Sequence, residues 1–117
     1  MDPVAMIIGV SWTLTGLLVI AVSIPLVRGW VGRNGWYGVR LPQSFQSDDA
    51  WLAINRFGGK RLIVWSVPLV IVGMVSLFLP LQSHPAAALA VGFVPCICIV
   101  MAGFEIFHFA RRYQSGG

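Results

Sequence analysis

The sequence predicts an all-α membrane protein with three transmembrane helices, and its composition is the first observation behind this prediction. Apolar residues make up 57% of the 117 residues, whereas a soluble domain contains about 45–50%. Charged residues make up only 10%, whereas about 25% is usual in soluble domains. This number of charges is too small to cover the surface of a soluble fold. We therefore expect most of the surface to face lipid. The length allows one domain, residues 1–117.

Three long apolar runs are the second observation, and they give the approximate spans. They cover residues 4–27, 62–81 and 86–110. Each is long enough to cross a hydrocarbon core of roughly 30 Å as a helix. Only residues 82–85 separate the second run from the third, which predicts a tight antiparallel hairpin. The first run has no basic segment before it and is longer than a signal-peptide core, so we expect it to remain in the mature protein.

The basic residues predict the orientation of the spans. All eight Lys and Arg residues lie either in loop one, residues 28–61, or in the C-terminal tail at Arg111 and Arg112. The positive-inside rule therefore predicts that loop one and the C-terminus are cytoplasmic and that the N-terminus is outside. Because these charges flank apolar runs and do not cover a soluble face, we expect no binding to nucleic acid.

Small residues recur in each span and predict the helix-packing faces. Small side chains allow close helix approach in lipid, either within the bundle or against another protein. The faces are Gly9, Gly16 and Ser23 in the first span; Ser66, Gly73 and Pro80 in the second; and Ala88, Gly92, Cys96 and Gly103 in the third. We also expect Pro25, Pro68 and Pro95 to bend or unwind the helices.

Loop one combines aromatic rings with turn and cap signals. The rings of Trp30, Trp36, Tyr37 and Trp51 are of the kind that lie at headgroup level. Arg33-Asn34-Gly35 and Gly38 predict turns, and Pro42 favours an extended Leu41. Ser47 is a candidate N-cap for a short amphipathic helix over Asp48–Phe57, lying on the inner membrane surface. Gly58-Gly59 is expected to end that helix.

Three segments of this loop resemble the signature of the SdpI family. They read Asn34-Gly-Trp-Tyr-Gly-Val-Arg-Leu-Pro42, Ser47-Asp-Asp-Ala-Trp51 and Asn55-Arg-Phe-Gly-Gly-Lys60. The family pattern is N-x-x-[IV]-G-[IV]-R-T-P, then a serine–acid–x–x–tryptophan helix start, then His-Arg-x-x-Gly or Asn-Arg-x-x-Gly. Three positions differ from it: Tyr37 stands where a small aliphatic residue is common, Leu41 replaces threonine, and Asn55 replaces the more frequent histidine.

The resemblance implies a protein of the bacterial inner membrane, similar to the C-terminal module of the founding member. That member confers immunity to a secreted toxin and signals by recruiting a repressor to the membrane. We therefore expect loop one to bind a toxin or a regulator. The alternative is an accessory structural subunit of a larger membrane complex, and a homo-oligomer and membrane lipids are further expected partners. The candidate residues are Asn34, Tyr37, Gly38, Arg40, Pro42, Trp51, Asn55, Arg56, Gly58 and Gly59.

Glu105 is the only acidic residue within a span, which marks it for a structural or functional role. We expect an ion pair with Arg40, Arg56 or Arg61, and proton or cation transport is the alternative. Glu105 lies about 220° around the helix from Gly92, so we expect the third helix to pack on two sides. One Glu-x-x-His motif is too few carboxylates for a metal centre, so no metal or cofactor is expected. Without a Ser–His–acid set or a phosphate-binding loop, we expect no enzyme activity.

Overall fold

Four helices and two short 3-10 turns form the computed structural model, which describes residues 2–116 and the side chains of residues 2–113. The elements in order are α1 (Pro3–Arg28), a 3-10 turn (Pro42–Phe45), α2 (Asp48–Ser76), a 3-10 turn (Leu81–Ser83), α3 (Pro85–Gly92) and α4 (Val94–Gly116). The described part of the chain contains no strand. Three stretches, Pro3–Arg28, Asp48–Ser76 and Pro85–Tyr113, are long and apolar enough to cross a membrane. The predicted all-α membrane fold is therefore confirmed.

Helices α1 and α2 pack closely through their small residues. Gly9, Gly16 and Ser23 are buried on α1. A Cβ atom added to Gly16 would lie 3.1 Å from the Ser66 carbonyl oxygen, and one added to Gly73 would lie 2.6 Å from the Thr13 nitrogen. Side chains larger than hydrogen would therefore separate the two helices. The predicted packing face is confirmed for the first span. In the second span it is confirmed for Ser66 and Gly73.

Helix α2 begins where the predicted interfacial helix begins, but it ends earlier than the predicted second span, residues 62–81. It begins at Asp48 as expected, with Ser47 Oγ accepting a hydrogen bond from the Ala50 amide at 3.0 Å. It ends at Ser76, so Pro80 lies beyond the helix, is exposed, and is not part of its packing face.

The predicted stop at Gly58-Gly59 is wrong, because α2 is continuous through both glycines and no separate interfacial helix forms. Instead, both glycines allow close contacts. A Cβ added to Gly59 would lie 3.0 Å from the Ser23 carbonyl oxygen, and one added to Gly58 would lie 2.7 Å from Val39 Cγ2. The two glycines thus let α1 and loop one approach α2 on different sides.

The third apolar run is broken at Phe93, between α3 and α4. Pro95 has no amide hydrogen, so it cannot donate to the Val91 carbonyl one turn earlier. That carbonyl instead accepts a hydrogen bond from Trp12 Nε1 of α1 at 3.1 Å. The predicted disruption at Pro95 is therefore confirmed, and the indole of α1 replaces the missing donor.

The small-residue face predicted for the third span does not pack inside the chain. Cys96 and Gly103 are exposed, whereas Cys98, Ala102 and Ile106 are buried against the rest of the chain. Helix α4 thus packs on one side, mainly on α2, and not on two sides as expected. The physical reason is Glu105, whose side chain contacts polar groups of α2. An intramembrane carboxylate requires such partners, so its side of the helix faces α2.

The N-terminus is tied to the turn between α2 and α3. Asp2 Oδ1 accepts a hydrogen bond from the Ala5 amide, and Oδ2 accepts one from the Gln82 amide, both at 2.9 Å. The bond from Ala5 is the main reason why the pKa of the Asp2 carboxyl is lowered. We call this side of the molecule the hairpin end, and the side with loop one and the C-terminus of α4 the loop-one end.

Candidate functional site

Loop one starts with a sharp reversal after α1. Gly29 has φ +73°, a left-handed conformation that favours glycine. Its amide donates to the Leu26 carbonyl at 3.2 Å, and the Trp30 amide donates to the Pro25 carbonyl at 3.0 Å. A Cβ added to Gly29 would lie 2.9 Å from Arg56 Nη2. The Arg56 guanidinium therefore lies at the C-terminus of α1, where the helix dipole favours a cation.

Asn34 organises the first turn of the loop. Its Oδ1 accepts hydrogen bonds from the Trp36 amide at 2.9 Å and the Tyr37 amide at 2.6 Å, and its Nδ2 donates to the Gly32 carbonyl at 2.8 Å. The turn predicted around Asn34 is therefore present. The Tyr37 hydroxyl donates to the Val22 carbonyl, which attaches this turn to the side of α1.

Asn55 holds the second half of the loop against α2. Its side chain is 2% exposed, and its Oδ1 accepts a hydrogen bond from the Val39 amide at 2.6 Å. Its Nδ2 donates to the Val39 carbonyl at 3.3 Å and to the Trp51 carbonyl at 2.9 Å. Both backbone groups of Val39 are thus bound by one amide, much as a neighbouring strand would bind them.

Gly38 makes this approach possible. It has φ +111°, and a Cβ added there would lie 2.5 Å from Asn55 Oδ1. A side chain at this position would be strained by its backbone angle and would displace Asn55. The signature pairs Gly38 with Asn55 because the amide can reach the backbone only where no Cβ intervenes.

The sequence predicts Trp51 at headgroup level, but its side chain is buried within the chain. It is 2% exposed, and its Nε1 donates to the Val31 carbonyl at 2.9 Å. The ring centroid of Phe45 lies 5.4 Å from that of Trp51. The indole therefore joins the beginning and the middle of loop one to α2.

The arginines and Pro42 lie at the edge of this arrangement. Arg40 is exposed, and its Nη1 donates to the Gly35 carbonyl at 2.5 Å. Arg33 Nη1 donates to the Phe45 carbonyl at 3.1 Å, and its Nη2 lies 3.3 Å from Asp48 Oδ1. Pro42 begins a 3-10 turn after an extended Leu41 at φ −84° and ψ 157°, which confirms the prediction for that residue.

The outer surface of loop one carries exposed aromatic rings. Trp30 is 71% exposed and Trp36 is 80% exposed. Together with Tyr37 and Pro25 they line an open groove of about 500 Å³. We call this the aromatic groove. Loop one therefore has a buried polar side against α2 and an outward aromatic side.

A comparison with models of known protein families identifies the family of this chain. The model of the SdpI/YfhL protein family matches residues 31–103, which include most of loop one, all of α2 and α3, and α4 up to Gly103. The chain belongs to the SdpI/YfhL protein family. No curated protein and no solved structure matches the chain. The hydrogen bonds above thus describe how the signature residues of an SdpI/YfhL protein contact one another.

Glu105 forms the second polar cluster of this SdpI/YfhL chain. Its Oε2 lies 2.7 Å from Arg61 Nε, and its Oε1 accepts a hydrogen bond from Trp65 Nε1. Arg61 is one of the three partners named from the sequence, whereas Arg40 lies in loop one and the Arg56 guanidinium lies beside the end of α1. Both carboxylate oxygens thus contact donors on α2, which fixes the rotation of α4.

A groove of about 500 Å³ lies beside this cluster and is largely aromatic. Phe57 of α2 stacks on Phe109 of α4, with ring centroids 4.1 Å apart and planes 8° apart. His108 also lines the groove and stacks on Phe104. Among the described residues no group of three His, Cys, Asp or Glu side chains could hold a metal ion.

Several contacting residues were not named from the sequence. Trp65 is a donor to Glu105, Phe45 packs on Trp51, and Asp48 pairs with Arg33 in addition to its place in the first turn of α2. Trp65 lies forty residues from its carboxylate partner along the chain. Only the rule that an intramembrane acid requires donors could have indicated it.

Proposed function

We propose that this SdpI/YfhL protein acts in toxin immunity or signalling by binding a partner protein on the outward side of loop one. The observation that carries the proposal is the aromatic groove. Trp30 and Trp36 are 71% and 80% exposed, although the same loop buries Trp51 to 2%. Exposed tryptophans grouped around a groove are frequent anchors of protein–protein interfaces.

The rigidity of the loop supports binding. The amides of Trp36, Tyr37 and Val39 donate to side-chain carbonyls of Asn34 and Asn55. A loop that is already held in place loses less conformational entropy when a partner binds. A plain connector between two spans would not need this number of internal hydrogen bonds.

The charge of loop one favours a partner with acidic groups. Residues 28–61 contain six Lys and Arg residues and two Asp residues. Such an excess speeds association with an acidic surface and disfavours basic partners. By the positive-inside rule the loop faces the cytoplasm in this proposal, which suits a cytoplasmic regulator or a toxin that has entered the inner membrane.

The accessory-subunit alternative is favoured by a different surface. Gly92 and Gly103 have no atom within 4 Å of an added Cβ, and Cys96 between them is exposed. This unpacked face of α3 and α4 could receive a helix of another membrane protein. The two proposals thus place the partner on different sides of the molecule.

A survival assay with matched variants tests the first proposal. The protein is expressed in a sensitive strain that is then exposed to a panel of secreted, membrane-active peptide toxins. Expression should protect against at least one toxin, and Trp36→Ala should remove the protection. Phe78→Ala is the control, because Phe78 is 83% exposed at the hairpin end. Equal protection by Trp36→Ala at equal membrane abundance would contradict the role of the aromatic groove.

Site-specific photo-crosslinking distinguishes the two proposals. A photoreactive amino acid is placed at Trp36, at Cys96 or at Phe78, and the adducts are identified in native membranes. Adducts with a toxin or regulator from position 36 alone support immunity or signalling. Adducts with one stoichiometric membrane protein from position 96 alone support the accessory subunit and contradict the first proposal.

A further inference from the structure

A further groove lies between loop one and α4, apart from the aromatic groove. It has a volume of about 660 Å³. Val39 and Leu41 line it from the loop, and Gly103, Ile106 and Phe107 line it from α4. We call it the lateral groove. Its walls are apolar, and the α4 side belongs to a stretch capable of crossing a membrane, so the groove is accessible to lipid.

One guanidinium group borders the lateral groove. Arg40 is one of its lining residues and is exposed. The Gly35 carbonyl accepts from its Nη1, which uses one of the five donors of a guanidinium. No acidic side chain is among the described residues of the lining.

A cationic group at the rim and apolar walls together match one class of ligand. A phosphate accepts hydrogen bonds from guanidinium groups with good geometry. An acyl chain would fill the apolar walls, which a free phosphate would leave in contact with water. A phospholipid supplies both parts in one molecule, and an anionic headgroup adds charge complementarity to Arg40.

Gly103 keeps the lateral groove open. A Cβ added at this position has no neighbour within 4 Å, so the glycine is not required for packing inside the chain. It lies in the middle of α4, where glycine is about 1 kcal/mol less favourable than alanine. Binding of a molecule from outside the chain would explain a glycine at this position, whereas internal packing does not.

We propose that the lateral groove binds one anionic phospholipid, with its phosphate at Arg40 and one acyl chain along Gly103. Asn55 contributes by holding Val39, which fixes the backbone beside Arg40. The proposal does not depend on the aromatic groove or on any protein partner.

Native mass spectrometry of the purified full-length protein tests this proposal. The protein is released from nanodiscs of phosphatidylcholine that contain a minor fraction of phosphatidylglycerol, and the retained lipids are counted. The wild type should retain one phosphatidylglycerol in preference to phosphatidylcholine. Arg40→Gln should reduce this retention about tenfold, the factor expected for a lost charge-assisted hydrogen bond.

A second pair of variants tests the groove itself. Gly103→Leu should reduce phosphatidylglycerol retention because its side chain would fill the groove. Gly92→Leu is the matched control, since Gly92 is also helical and also open, but lies toward the hairpin end. It should retain lipid as the wild type does. Both variants replace a helical glycine, so folding is not expected to suffer.

Three outcomes would overturn the proposal. Equal retention of phosphatidylcholine and phosphatidylglycerol by the wild type would exclude recognition of an anionic headgroup. Loss of retention in Arg40→Gln but not in Gly103→Leu would show a surface charge contact outside the groove. Equal loss in Gly92→Leu and Gly103→Leu would show that lipid binds elsewhere along the helices.

Discussion

The inner and outer sides of loop one use the same residue types in opposite ways. On the inner side, Trp51 is 2% exposed and its indole donates to a backbone carbonyl. On the outer side, Trp36 is 80% exposed, and its backbone amide donates to Asn34 Oδ1. The difference shows that the inner side maintains the shape of the loop, whereas the outer side leaves its rings available for contacts.

The same division applies to polar groups. Asn55 is buried, and its side-chain amide is hydrogen-bonded to the backbone of Val39 and Trp51. Arg40 is exposed beside the lateral groove. Substitutions on the inner side should therefore change the free energy of unfolding, and those on the outer side should change binding with little effect on stability.

The largest effect is expected for Asn55→Ala. The variant removes three hydrogen bonds and leaves the amide and carbonyl of Val39 without their partner, so we expect a loss of about 3 kcal/mol in the free energy of unfolding. Unfolding in mixed detergent and dodecyl sulfate micelles measures it. Gln46→Ala, at an exposed position of the same loop, is the control and should change stability by less than about 0.5 kcal/mol. Equal effects of the two variants would remove Asn55 from the framework.

A smaller effect is expected for Gly38→Ala. The alanine would have to adopt φ +111°, and its Cβ would lie 2.5 Å from Asn55 Oδ1. We therefore expect a loss of about 2 kcal/mol in the free energy of unfolding. The same unfolding measurement applies. Gly35→Ala is the matched control, because a Cβ at Gly35 has no neighbour within 4 Å. If both glycines tolerate alanine equally, the close approach of Gly38 to Asn55 is not needed for stability.

The smallest effect is expected for Arg33→Ala. Its ion pair with Asp48 joins side chains that are 42% and 86% exposed. Water screens such a pair, so we expect a loss of less than about 0.5 kcal/mol, and the difference from the wild type should shrink further in high salt. A loss comparable to that of Asn55→Ala would show that an exposed pair, and not the buried amide, holds the loop.

The sequence was sufficient where structure depends on near neighbours. The start of α2 at Asp48 with its Ser47 cap, the turn at Asn34 and the extended Leu41 before Pro42 are all set by residues within a few positions of one another. The three membrane-capable stretches also follow from local composition. For these features a physical rule links each residue directly to its conformation.

The sequence was insufficient where a residue has two possible roles. Gly58-Gly59 has the composition of a helix stop, yet it allows contacts with α1 and with Val39, and only the approach of those elements decides between the roles. Asn55 and Val39 are sixteen residues apart, and no local pattern predicts their pairing. Trp51 is of a residue type that often lies at headgroup level, but its indole donates a hydrogen bond inside the chain.

The third span shows a further reason for error. A repeat of small residues indicated a packing face at Gly92, Cys96 and Gly103, but α4 packs through its other side. A count of small residues gives no weight to Glu105, whose contacts with Arg61 and Trp65 determine the rotation of the helix. One ionic contact in an apolar medium outweighs several positions that merely permit close packing.

Amide hydrogen exchange of loop one in lipid nanodiscs tests most directly whether the loop is a held framework. The amides of Tyr37 and Val39 donate to Asn34 and Asn55, so they should exchange far more slowly than the unstructured rate. In Asn55→Ala, Val39 should lose this protection, while the amides in the middle of α1 keep theirs. Exchange of the Val39 amide at the unstructured rate in the wild-type protein would contradict the account.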